Sequence, residues 1–87
     1  MTKARDPDSF ADAAMRAIAT LGNRRVAALV ERGDHHVYRW ADPSPGGERP
    51  TVEQALRIDT VMKRAGAPPP FLAAYTAQLA AVDAPPA

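Results

Sequence analysis

A chain of 87 residues has room for one domain with a modest core, and because alanine supplies much of its 46% apolar share, that core has to rest on a few larger side chains in a mainly helical fold. Cysteine is absent, which excludes disulfides and thiolate metal sites, and no run approaches the roughly eighteen apolar residues that cross a bilayer. Basic and acidic residues nearly balance, 11 against 10, so any affinity for nucleic acid has to come from where the charge lies.

The N-terminus lacks the apolar stretch of a signal peptide, so a cytoplasmic chain with no membrane partner is expected. Residues through Pro7 read as a loose arm. Asp8 or Ser9 can cap a helix over 9–21, in which Phe10, Ala14, Ile18 and Leu21 form one apolar stripe, with Gly22 as its stop and Asn23 as the next cap. A second helix over 24–31 turns Val26, Ala27 and Val30 inward, with Leu29 at the edge; Ala27 is small enough to let a neighbouring helix cross closely. Gly33 can supply the positive φ of a tight turn, and Asp34 can cap a third helix that stops by Asp42, before Pro43.

Residues 42–50 are a proline- and glycine-rich loop without a large apolar side chain. Thr51 and Gln54 then stand in capping-box positions for a helix to about Ala65, with Val52, Leu56, Asp59 and Lys63 along one stripe and Ala55, Leu56, Ile58, Val61, Met62 and Ala65 as the broader inward face. After Gly66 and the triple proline at 68–70, Phe71, Leu72, Tyr75, Leu79 and Val82 recur at helical spacing and predict a fifth helix before a frayed tail. The expected fold is therefore all-α, one compact domain of four or five helices over residues 1–87, with flexible termini.

The centre of the chain concentrates the basic residues: Arg16, Arg24, Arg25, Arg32 and Arg39 stand against Glu31, Asp34 and Asp42, and His35 and His36 could add positive charge beside a phosphate. The run Asn23-Arg24-Arg25-Val26-Ala27-Ala28-Leu29-Val30-Glu31-Arg32-Gly33-Asp34-His35-His36-Val37-Tyr38-Arg39-Trp40 supplies two short helices about a tight turn, the first with a small inward residue and the second with an inward valine. These are the parts of a helix-turn-helix DNA reader, with a core over about 23–42.

Preceded by Ile18-Ala19-Thr20-Leu21-Gly22, the run resembles the DNA-binding region of temperate-phage Cro and CII-type transcriptional regulators. In that family a glycine leads into the motif, as Gly22 does; a small residue packs the first helix on the second, as Ala27 does; and a valine or isoleucine anchors the reading helix, as Val37 does. The ending Tyr38-Arg39-Trp40 echoes the serine-arginine-tryptophan of some members. The resemblance implies sequence-specific binding of double-stranded DNA in the major groove, commonly by a homo-dimer or higher oligomer, with His35, Tyr38 and Arg39 as groove contacts and Asp34 and His36 nearby. It covers roughly residues 14–42 and departs at the turn, where the family places glycine and this chain has Glu31; the turn is then reshaped, or the helix before it extends by part of a turn.

Among individual residues, Arg39 can pair bidentately with guanine or clamp a phosphate, against the plainer reading of a solvated arginine partnering Asp42. Arg24 and Arg25, at the start of the motif, suit backbone phosphate, although an ordinary charged surface explains them equally. His35 and His36 point about 100° apart on a helix and have no third ligand, so no metal site is expected. Tyr38 can reach a phosphate or pack. Asp34 reads best as a cap. Trp40 reads as core, seating the third helix together with Val37.

No nucleotide-binding loop, dinucleotide fingerprint, zinc-protease helix or serine elbow is present, so neither enzymatic activity nor a cofactor is expected. The alternative is a non-enzymatic helical protein-interaction module, such as a phage or mobile-element accessory protein, whose surface would be Phe71 and Tyr75 on the last helix. Contacts to the transcription machinery belong to the regulator reading.

Overall fold

The computed structural model of the protein describes residues 5–83. Helix α1 (Phe10–Leu21) starts where the Ser9 hydroxyl accepts the Asp12 N–H and ends at Gly22, whose φ of +88° favours a residue without a Cβ. Alanines crowd its inner face: Ala11, Ala13, Ala14 and Ala17 are buried with Ile18, while the larger Phe10 and Leu21 pack only partly against the core. Small side chains there let the other helices approach closely.

Helices α2 (Asn23–Val30) and α3 (Asp34–Arg39) follow, then the loop over 42–50, α4 (Val52–Arg64) and α5 (Pro70–Asp83). The described residues form a small all-α domain of five helices without strands. Helix α1 packs against α2, α4 and α5, and α3 packs against α2. Trp40, Ile58, Val26 and Val37 are the largest fully buried side chains, so the bulk of the core comes from α2, α4 and α3 with the residue that follows it. The Trp40 Nε1–H has no acceptor among the described residues.

Two caps set the placement of the last helices. Thr51 and Gln54 form a reciprocal capping box at the start of α4. Helix α5 begins with Pro70, where a missing N–H costs nothing, and the next two N–H groups, of Phe71 and Leu72, donate to the Asp59 carboxylate of α4 at 3.0 and 2.8 Å. A side chain from one helix thus caps another.

Several expectations are corrected. The described part of the arm through Pro7 makes contacts: Arg5 Nε donates to the Ala41 carbonyl at 2.7 Å, and the Asp6 carbonyl accepts the Ser9 N–H. The rest of the expected flexible termini, 1–4 and 84–87, lies outside the described residues. Asn23 is the first residue of α2 rather than its cap. On α4 only Ile58 and Met62 are buried; Leu56 and Ala65, expected inward, are exposed. On α5 Phe71 is buried with Ala74, whereas Leu72, Tyr75, Leu79 and Val82 all face outward.

Candidate functional site

A six-residue helix such as α3 cannot hold itself in water. It is held by Val37 and Trp40, 0% and 1% exposed, which are seated against α2, where Ala27 and Val30 are also buried. The Asn23 amide of α2 donates to the Asp34 carbonyl at 3.2 Å and brings the first turns of α2 and α3 side by side.

The turn between them is made by an unexpected residue. Glu31 takes φ +55° and ψ +45°, the left-handed conformation, and its N–H returns to the Ala28 carbonyl while the Arg32 N–H bonds that of Ala27. Gly33, expected to supply the positive φ, is extended at φ −72° and ψ +159° and forms the N-cap of α3, its carbonyl accepting from His36 and Val37. Asp34 therefore lies inside α3, and no side chain caps the helix. Helix α2 does not run on past Val30; Glu31 adopts the conformation that glycine takes up without strain. Arg57 of α4 supports this corner, with its guanidinium 3.4 Å from the Leu29 carbonyl and 3.9 Å from the Glu31 carboxylate.

With Val37 and Trp40 inward, the other side of α3 presents Asp34, His35, Tyr38 and Arg39 to solvent. Arg24 and Arg25 are exposed on the first turn of α2, at the end where Asn23 joins the two helices. His36 is half-buried, edge-on to the Trp40 ring at 5.6 Å. Its Nδ1 lies 3.6 Å from one Glu48 carboxylate oxygen, and the Arg39 guanidinium lies 3.4 Å from the other. The acidic partner of Arg39 is therefore Glu48, from the following loop, where the plainer reading of a solvated arginine names Asp42.

The exposed face of this short helix offers hydrogen-bonding side chains of mixed charge, Asp34 beside an Arg39 that Glu48 partners, and Arg24 and Arg25 are exposed on the neighbouring first turn of α2. Among the described residues no group of three or more His, Cys, Asp or Glu is placed to hold a metal ion, and no helix is long and apolar enough to cross a membrane. An open depression lined by Asp6, Asp8, Ser9, Phe10, Arg49 and the C-terminal half of α5 contains none of the DNA-contact candidates named from the sequence. Sequence reasoning missed Asn23, Glu48 and Arg57, whose partners lie 11, 9 and 28 positions away. Only the side-chain types hinted at such roles.

No family model, curated protein or solved structure matches the chain.

Proposed function

We infer that the chain is a sequence-specific reader of double-stranded DNA, a transcriptional regulator whose α2 and α3 form a helix-turn-helix with α3 in the major groove. The observation that carries this reading is the seating of α3: Val37 and Trp40 take up its buried side, while His35, Tyr38 and Arg39 are exposed on the other, Arg39 with Glu48 as a solvated partner that a phosphate or base would have to displace. Arg39 supplies the bidentate fork that suits guanine or phosphate. Arg24 and Arg25, beside the first turn of α3, supply backbone-phosphate contacts that fix register. Asp34 and the partly covered His36 flank the contacts. These roles are the ones that the resemblance of residues 14–42 to Cro and CII-type regulators implies, and a regulator of that kind would in addition contact the transcription machinery.

The test is a selection from randomised duplex DNA, followed by salt titrations of the best and a scrambled duplex with the wild type and Arg39→Ala. An enriched site, bound with a salt dependence and with selectivity lost in the variant, supports the reading. Folded protein that enriches nothing and binds neither duplex at low salt overturns it. That outcome would favour the second reading, a helical interaction module, for which the specific observation is the outward apolar stripe on α5.

A further inference from the structure

Helix α3 runs out in a tightened turn, in which the N–H groups of Trp40, Ala41 and Asp42 return to the carbonyls of Val37, Tyr38 and Arg39. Among the described residues no backbone N–H returns to the carbonyls of Trp40 and Ala41 themselves. Two arginines from outside the helix meet them. Arg49, in the loop before α4, donates from Nη1 to the Trp40 carbonyl at 3.3 Å and to that of Glu48 at 2.7 Å. Arg5 donates from Nε to the Ala41 carbonyl at 2.7 Å. At the other end the Asn23 amide holds the Asp34 carbonyl. The segment is thus pinned at both ends through its main chain, by side chains that lie 11, 9 and 36 positions away.

We propose that Arg49 and Arg5 are positioning residues for the reading helix: they fix its rotation about its own axis, and with it the aim of His35, Tyr38 and Arg39, without touching DNA themselves. The inference rests on the reading of the chain as a DNA-binding regulator. Val37 and Trp40 press one side of the segment onto the core, but apolar contact is non-directional, whereas a hydrogen bond to a carbonyl constrains direction. Neither arginine is in an ion pair among the described residues, so the carbonyls are what orient them. Arg49 is exposed, Arg5 is half-buried, and neither belongs to the apolar cluster, so closing the core does not require them. Contacts to phosphate tolerate a small roll of the helix, because a charge acts over a range of angles. A bidentate pair with a base edge does not. Loss of the two pins therefore costs discrimination between sites rather than overall affinity.

Arg49→Ala, Arg5→Ala and the double variant, each with wild-type far-ultraviolet circular dichroism, are titrated against the selected and the scrambled duplex over a salt series. The single variants carry the comparison should the double variant not fold. The double variant should lose at least about fivefold of the preference for the selected duplex, the low end of what one bidentate base contact is worth. Binding to the scrambled duplex and the salt slope should hold. Arg49→Lys, whose ammonium can donate to both carbonyls, should recover most of what Arg49→Ala loses. Without DNA, amide hydrogen exchange in the variants should quicken at Trp40, Ala41 and Asp42 and stay unchanged at Ile58. A salt slope lower by about one with the preference intact would make the arginines phosphate contacts and overturn the positioning role. A wild type that prefers neither duplex takes down the DNA reading and the inference together; a wild type that prefers the selected duplex, matched by the folded variants, takes down the inference alone.

Discussion

The Glu48 carboxylate spans Arg39 and His36, 3.4 Å from the guanidinium of the first and 3.6 Å from Nδ1 of the second, so the loop after α3 neutralises part of the surface that α3 presents. All three side chains are substantially solvated, and an ion pair of this kind is worth about 0.2–1 kcal/mol. Glu48 is therefore a light restraint on Arg39. Glu48→Gln should strengthen binding to the selected duplex by roughly two- to tenfold at low salt, with the gain shrinking as salt rises, because a carboxylate beside phosphate is removed along with the competing pair. Weaker binding in a fluorescence-anisotropy titration would instead assign Glu48 to aiming Arg39.

Glu31 sits in the left-handed region at φ +55°, which costs an ordinary residue about 1–2 kcal/mol, while glycine adds about 0.5–1 kcal/mol of chain entropy to the unfolded state. Glu31→Gly should consequently raise stability by about 0.5–1 kcal/mol, the exposed contact with Arg57 counting for little. Gly33 presents the converse case, at an ordinary φ with nothing within 4 Å of an added Cβ. Gly33→Ser should also stabilise, by about 0.4–1 kcal/mol, since serine takes up this φ and supplies the capping hydroxyl that α3 lacks. Chemical denaturation of the two variants checks both signs, and destabilisation by Glu31→Gly would show that the turn is held by more than its backbone.

Trp40 and Arg39 are adjacent in sequence and opposite in role. Trp40→Ala should cost about 3–5 kcal/mol through the cavity it leaves, enough to unfold a domain of this size at ambient temperature. Arg39→Ala should stay within about 0.5 kcal/mol of the wild type, since its side chain is largely solvated. Thermal melts followed by circular dichroism measure the contrast, and a large loss on removing Arg39 would count against its assignment as a surface contact residue.

Burial pushes the Asp59 carboxyl above its ordinary value of 3.8, against the smaller opposite pull of the Phe71 and Leu72 N–H groups that it accepts. The folded state therefore holds this proton more tightly than the unfolded chain. Asp59 contributes most to stability below the unfolded value, and that contribution falls as pH rises through the raised one. Asp59→Asn keeps an acceptor for α5 and removes the titration, so the difference in stability between wild type and variant should drift toward the variant as pH rises through that window. Asp59→Ala removes the cap altogether and should cost about 0.5–2 kcal/mol. Urea titrations at several pH values on either side of 3.8 follow the drift, and a drift in the opposite sense would mean that the two N–H bonds outweigh burial.

The helices were legible because their signals are local. Ser9, Gly22, Thr51 with Gln54 and Pro70 mark boundaries within a residue or two of where they fall, and Val26, Ala27 and Val30 keep their helical phase. The inward and outward sides of α4 and α5 were not, because both helices carry more apolar residues than one face can bury. Which side faces in depends on neighbours: Phe71 turns inward at the point where Asp59 grips the start of α5, and the remaining apolar positions rotate outward with it. The turn was misassigned because glycine is the usual owner of a left-handed conformation, and Gly33 stood two residues from the position that needed one. Glu48 escaped notice because a nine-residue separation across a loop carries no periodicity.

The seating of α3 through Val37 and Trp40 separates what the helix is from what it displays. Positions 34, 35, 38 and 39 contribute nothing to the buried core, so their identities can be exchanged without renegotiating the fold. A chain built this way can change its target by surface substitution alone, over a scaffold that stays the same, and a library randomised at those four positions would be expected to remain folded in most of its members.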